Sequence, residues 1–156
     1  MERADFWYDK MRDLNRSHGE APHKPLLLLA LLDLVERGGA ASGTIALAGR
    51  LNDRFRDYAR VVQHRREARI EAWLPFFHLR TQGFWETLDE FQSPTNVRRA
   101  TRYIRIDRDF LSLACIPEFR NNVRRLLITE YFDSSDRDEL LALCRTDGPG
   151  LYTAQP

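Results

Sequence analysis

The sequence predicts an α+β fold: a mainly helical single domain with a small β-hairpin or sheet. Several segments place apolar residues at helical spacing, whereas short apolar runs flanking a glycine occur once, within 73–85. The length of 156 residues fits one domain that buries about two-thirds of its unfolded surface. We assign residues 1–146 to this domain and expect the glycine- and proline-punctuated residues 147–156 to be a flexible tail.

The first two predicted helices differ in how they present apolar residues. A helix over 5–17 has one apolar face, formed by Trp7, Met11 and Leu14. A second helix over 25–37 is apolar on nearly all sides, so we expect it to be buried at the centre of the domain. Gly38 and Gly39 end this helix, because glycine accepts the left-handed conformation of a helix C-terminus.

An extended segment, 44–47, leads into a third predicted helix. Its apolar residues recur at helical spacing: Leu47, Leu51, Phe55, Tyr58 and Val62. Three of its polar residues are expected to face outward: Arg50, Arg54 and Asp57.

Three more helices are predicted towards the C-terminus. Asp107 is placed to cap a short helix that reaches Ala114. Pro117 begins a long amphipathic helix, and Ser135 with Asp138 resembles a capping box that opens a last short helix.

The segment from Trp73 to Trp85 is predicted to be a β-hairpin. Its apolar runs flank Arg80–Gly83, which has the length and the glycine of a four-residue hairpin loop. Pro75 falls at the entry of the first strand, where a missing N–H is tolerated. Aromatic residues framed by arginines favour a nucleic-acid contact, although a hairpin of this composition also fits a protein core.

The composition limits the partners and the cellular compartment that we expect for this protein. The net charge is +1, so a basic binding face must be locally segregated, and only two of the 24 basic residues are lysines. Arginine matches phosphates and guanine edges better than lysine does, and a GC-rich genome also favours arginine. The two cysteines form no C-x-x-C pattern, and no signal-peptide or membrane-span pattern is present, so we expect a cytoplasmic protein.

The sequence indicates binding rather than catalysis. The four histidines lack metal-site spacing, and no phosphate-loop or nucleophile motif occurs, so we predict no catalytic residue, metal or cofactor. Both cysteines fall in apolar helical surroundings that are typical of a core. His23 and Lys24 stand at a helix N-terminus, which favours an anion, and His23 is equally suited to capping the helix. Two basic clusters flank the predicted hairpin: Arg65, Arg66 and Arg69, then Arg98, Arg99 and Arg102.

Three sequence blocks together resemble the sulfur-binding domain that precedes HNH nucleases in phosphorothioate-dependent type IV restriction enzymes. They are Ala21-Pro22-His23-Lys24-Pro25 before a leucine run, Leu74-Pro75-Phe76-Phe77-His78-Leu79 followed by Gly83-Phe84-Trp85, and Thr129-Glu130-Tyr131-Phe132. The resemblance covers about Phe6 to Phe132. It implies recognition of double-stranded DNA in which sulfur replaces one non-bridging phosphate oxygen.

In that family a shallow apolar cavity accepts the sulfur, and the resemblance places Leu74, Pro75 and His78 around it here. Such a cavity penalises an oxygen by leaving it desolvated and unpaired, whereas sulfur loses little. The resemblance also implies that His23, Lys24, Arg98 and Arg99 contact DNA, and charge alone adds Arg65, Arg66, Arg69 and Arg102. This sequence has Leu74 where some members have an aromatic residue, and His78 where a small residue is usual.

These observations predict a phosphorothioate-DNA-binding module of a restriction system, with any nuclease activity residing in an HNH domain outside this sequence. Two alternatives remain open at this point. One is a winged-helix-like regulator that reads unmodified DNA, with the hairpin as its wing. The other is a protein-interaction domain whose aromatic hairpin contacts a partner.

Overall fold

The computed structural model describes residues 2–14, 23–63 and 79–146, which form helices packed on one another and a small antiparallel sheet. The helices are α1 (Glu2–Arg12), α2 (His23–Glu36), α3 (Arg50–Gln63), α4 (Arg108–Ala114), α5 (Pro117–Tyr131) and α6 (Ser134–Thr146), and residues 79–81 form a further helical turn. The strands are β1 (Thr44–Ala46), β2 (Trp85–Leu88) and β3 (Tyr103–Ile106). The predicted mainly helical α+β architecture is confirmed.

Helix α2 is the buried centre of the fold, as its composition predicts. Every residue from Leu26 to Leu32 is fully buried, and helices α3 and α5 both pack against it. Gly38 takes a φ of +82°, and Gly39 N–H donates to the Leu34 carbonyl (2.8 Å) across the helix end. This pattern is a Schellman cap, so the predicted glycine termination is confirmed.

Helix α1 ends at Arg12, earlier than the predicted Ser17, while residues 15–17 lie outside the described residues. The Asp13 N–H donates to the Lys10 carbonyl in a tight turn (3.1 Å), and the Leu14 N–H donates to the Tyr131 hydroxyl (3.0 Å). A tertiary hydrogen bond to α5 therefore replaces the next helical one. The predicted apolar face is buried, as expected.

Helix α3 begins at Arg50, so Leu47 precedes it, whereas the other four residues of the predicted apolar face lie on it and are buried. The predicted outward position of Arg54 is wrong, because that residue is only 3% exposed. The reason is Asp33 in the middle of α2. Its carboxylate accepts hydrogen bonds from Arg54 Nε (2.7 Å), from Arg124 Nη2 (2.7 Å) and from the Tyr58 hydroxyl. A buried carboxylate needs cationic and hydrogen-bonding partners, and it draws both arginines inward.

The sheet has the order β1-β3-β2, with both pairs antiparallel. Residues pair in the register Thr44 with Arg105 and Trp85 with Ile106, so β3 is the central strand. The predicted hairpin between 73–79 and Phe84–Trp85 is wrong in two described details. Leu79 is helical rather than extended, and the strand that begins at Trp85 pairs with β3.

The glycine that suggested the hairpin loop has another role. Gly83 takes a φ of +88°, its N–H donates to the Arg80 carbonyl (3.2 Å), and the Phe84 N–H donates to the Leu79 carbonyl (3.3 Å). This is the same C-terminal cap that ends α2. Leu79 and Phe84 are both fully buried, as the apolar contact of such a cap requires. The sequence signal thus marked a helix end.

The three C-terminal helices follow the predicted pattern closely. The Asp107 carboxylate caps α4 by accepting the Phe110 N–H (3.0 Å), and Pro117 opens α5. Helix α6 begins at Ser134, one residue before the predicted capping residue, and its 13 residues exceed the short helix expected. The Asp133 carbonyl accepts two N–H groups from the first turn of α6, those of Asp136 and Arg137.

Candidate nucleic-acid interface

The connection between β2 and β3, residues 89–102, forms an ordered turn at one end of the sheet. The Asp89 carboxylate accepts the N–H groups of Phe91 (2.9 Å) and Ser93 (3.0 Å), and the Asp89 N–H donates to the Ser93 carbonyl (2.8 Å). Gln92 takes a φ of +61°, which closes the turn. The returning chain pairs Pro94 with Leu88 and covers the outer edge of β2.

This turn exposes apolar side chains. Phe91 at its tip is 80% exposed and Val97 is 54% exposed, and these are two of four large exposed apolar residues in the described chain. Asp89 holds the backbone on both sides of Phe91, so the ring is presented by a fixed loop. An exposed phenylalanine on an ordered turn is suited to contacting a base or an apolar partner surface.

Three exposed arginines follow on the same connection. Arg98 and Arg99 lie in a single turn of 3₁₀-helix, Arg98–Ala100. Buried Thr101 anchors that turn, because its hydroxyl donates to the Val97 carbonyl (3.0 Å). Arg102 Nη1 donates to the carbonyls of Arg99 (2.7 Å) and Thr101 (3.0 Å). The structure therefore brings together the second of the two predicted basic clusters.

The charge of this cluster is not neutralised within the described residues. Arg98, Arg99 and Arg102 have no carboxylate there within ion-pair distance, whereas Arg105 on β3 pairs with Glu86 (2.8 Å). Two acidic residues share the turn: Asp89 is occupied by backbone N–H groups, and Glu90 is exposed. Arginines without carboxylate partners are available to phosphate oxygens.

A second basic group lies at the other end of β2. Lys24, 9% exposed at the start of α2, donates from Nζ to the Leu14 carbonyl (2.8 Å) and to Gln82 Oε1 (2.9 Å). Lys10 donates to the backbone carbonyl of the same Gln82 (2.7 Å), and its ammonium lies 5.1 Å from the centre of the Phe6 ring. Burial lowers the pKa of Lys24. His23 is partly buried beside it.

The two basic groups are attached at opposite ends of β2. Gln82 precedes the strand and Arg102 hydrogen-bonds to its last residue, Leu88 (2.8 Å).

The remaining predicted site residues lie outside the described residues, within 64–78. They are Leu74, Pro75 and His78 of the expected sulfur cavity, and Arg65, Arg66 and Arg69 of the first basic cluster. The described chain resumes at Leu79, three residues before Gln82. The segment that holds these residues therefore closely precedes, in sequence, the residue that Lys10 and Lys24 both contact.

Sequence reasoning missed Lys10, Gln82 and Phe91. Lys10 is one of only two lysines, which was a usable signal, but helical spacing gave no reason to place it beside Lys24. Gln82 was assigned to a hairpin loop. Phe91 follows two acidic residues and precedes a turn, a context in which an aromatic residue does not fit a strand core.

Residues 2–14, 23–63 and 79–146 contain no group of three histidine, cysteine or acidic side chains arranged to hold a metal ion. Nor does any helix in those ranges have the length and apolarity needed to cross a membrane. Comparison of the sequence with known protein families and with curated proteins gives no match in either case.

Proposed function

We propose that this chain binds double-stranded DNA carrying a backbone phosphorothioate, as a cytoplasmic targeting module without catalytic activity of its own. The observation that carries the DNA-binding part is the arginine turn at the end of the sheet. Three exposed arginines stand there without described carboxylate partners, beside a presented Phe91. Phosphate contacts of this kind supply affinity that falls as salt rises.

Selectivity for sulfur is the part that rests on the resemblance. Leu74, Pro75 and His78 would form the apolar cavity, and His23 and Lys24 would contact the phosphate chain near it. Sulfur is larger and accepts hydrogen bonds less well than oxygen, so an apolar cavity rejects the unmodified phosphate. Gln82, which accepts hydrogen bonds from both Lys10 and Lys24, follows 64–78 closely in the chain, and this supports the arrangement.

The decisive experiment titrates pairs of short duplexes of identical sequence, one of each pair bearing a single stereodefined phosphorothioate, at two salt concentrations. A panel of core sequences is needed because base edges contribute to recognition. We expect tighter binding to the sulfur-bearing duplex. Equal binding within every pair would support the regulator that reads unmodified DNA. Absence of binding to any duplex would support the protein-interaction domain, for which Phe91 and Val97 would then be the contact residues.

Variants of the turn separate electrostatic from apolar contacts. Arg98→Ala and Arg99→Ala should weaken binding to both duplexes and lower the slope of log affinity against log salt by about one per lost phosphate contact. Phe91→Ala should weaken binding and leave that slope unchanged, because it removes no charge. The matched control is Arg145→Ala, an exposed arginine on α6. If Arg145→Ala changes the slope as much as Arg98→Ala does, the turn is not the phosphate-binding element.

A further inference from the structure

The two lysines of the chain meet at one residue. Lys24 binds the side-chain oxygen of Gln82 and Lys10 binds its backbone oxygen. No carboxylate in the described residues lies within ion-pair distance of either ammonium group. Two cations therefore share a single neutral residue.

Lys24 is unusual because it is buried without a carboxylate partner among the described residues. Its two acceptors, the Leu14 carbonyl and Gln82 Oε1, are neutral, and an ammonium group has three N–H donors. Burial alone accounts for its lowered pKa, with no opposing contribution from a carboxylate. A buried cation of this kind costs folding free energy unless it is paired. An anion bound beside Lys24 would supply the missing counter-charge.

We propose that Lys10 and Lys24 form one anion site and that Gln82 is a neutral occupant of it, which a phosphate group displaces. The Gln82 side-chain oxygen accepts from Lys24 Nζ (2.9 Å), where a phosphate oxygen would accept. The cap at Gly83 fixes the backbone carbonyl that holds Lys10, and an added Cβ at Gly83 would lie 3.6 Å from Lys10 Nζ. The inference adds Lys10 and Gln82 to the proposed DNA surface and rests on that proposal for the identity of the anion.

If Gln82 is a neutral occupant that phosphate displaces, its substitutions should change protein stability and DNA affinity in opposite directions. In Gln82→Glu a carboxylate pairs with Lys24, so the protein should become more stable while its affinity for DNA falls by about tenfold or more. In Gln82→Met the competing oxygen is removed, so affinity should be kept or increased while stability falls slightly. A purely structural Gln82 would change stability in these variants without changing affinity.

The experiment measures thermal unfolding with and without inorganic phosphate, together with duplex binding, for wild type, Gln82→Glu, Gln82→Met, Lys10→Met and Lys24→Met. Ala142→Glu is the charge-matched control. It adds one negative charge at an exposed position of α6. That helix packs against α3, where the Cys144 sulfur lies 3.3 Å from the Tyr58 hydroxyl. We expect phosphate to raise the unfolding temperature of wild type, Gln82→Met and the control, and to have little effect on Gln82→Glu and Lys24→Met.

The outcomes separate this inference from the proposed function. Loss of the phosphate effect in Gln82→Glu and Lys24→Met, without duplex binding by wild type, would keep the anion site and reject the DNA reader. Duplex binding that is unchanged in both variants would reject the anion site and keep the DNA reader. If Lys24→Met fails to fold, Gln82→Glu decides alone, since it keeps the side-chain oxygen that accepts from Lys24.

Discussion

The two cysteines occupy opposite environments, although the sequence places both in apolar helical surroundings. Cys144 is buried, and its sulfur lies 3.3 Å from the Tyr58 hydroxyl, as predicted for a core residue. Cys115 is exposed, so its predicted core position is wrong. It follows α4 directly, where the chain turns outward before Pro117 opens α5. Apolar neighbours in sequence could not reveal which side of that turn faces solvent.

This difference predicts selective thiol chemistry. Burial raises the pKa of Cys144 from its ordinary value of 9.0 to about 11. In native protein at pH 8 we expect an aromatic disulfide reagent to modify one thiol rapidly and the second only after denaturation, because the thiolate is the reactive form. Cys115→Ser should remove the rapid phase. Two equally rapid thiols in the native wild type would contradict the buried position of Cys144.

The same shift has a consequence for stability against pH. The folded-state pKa of Cys144 lies above that of the unfolded thiol, so its contribution to stability is fully present below about pH 9. That contribution is lost as the pH rises from about 9 to 11, because only the unfolded state then releases the proton.

Elements with strong local signals were predictable from the sequence. Helix α2 was predictable from its continuous apolar run, and α4 and α5 from Asp107 and Pro117 at their first turns. Pairing in the sheet was not, because β2 and β3 are joined by residues 89–102 rather than by a short turn. A local pattern in residues 73–85 offered a nearer partner, and sequence distance could not exclude it.

The helix end at Gly83 shows why the hairpin interpretation failed. Hairpin loops and helix C-terminal caps both require a residue with positive φ, and glycine serves both. The distinguishing feature is the pair of hydrogen bonds back to Leu79 and Arg80, which no residue type specifies. The candidate site was likewise only partly predictable from the sequence. The exposed arginines were evident from charge, whereas the convergence of Lys10 and Lys24 on Gln82 depends on tertiary packing.

Substitution of the capping glycines tests this assignment. Gly83→Ala and Gly38→Ala should each lower the free energy of unfolding by about 1 kcal/mol, because both positions have left-handed backbone at +88° and +82°. Steric conflict adds little, since a Cβ at Gly38 meets nothing within 4 Å. Gly83→Asn should cost less than Gly83→Ala, because asparagine tolerates this conformation. Denaturant unfolding measures each value. Equal stability of Gly83→Ala and wild type would contradict the cap.

At the scale of the whole molecule, a buried ionic network joins four helices. Asp33 of α2 binds Arg54 and Tyr58 of α3 and Arg124 of α5, while Arg54 Nη2 donates to the Leu143 carbonyl of α6 (2.6 Å). Arg124 also binds Glu36, one turn along α2 (2.6 Å). Asp33 thus lies among leucines within α2, and its ionic network fixes how α3, α5 and α6 pack around that helix.

Removal of that carboxylate should destabilise the entire domain. Asp33→Ala removes the buried carboxylate that the Arg54 and Arg124 guanidinium groups share, and we expect it to lower the free energy of unfolding by about 3–5 kcal/mol. The matched control is Asp9→Ala, which breaks the exposed ion pair with Arg12 (2.9 Å) and should cost less than about 1 kcal/mol. Denaturant unfolding followed by far- and near-ultraviolet circular dichroism compares them. Because the network spans α2, α3, α5 and α6, both signals should shift together in Asp33→Ala. A cost no larger than that of Asp9→Ala would show that the leucine core alone holds these helices in place.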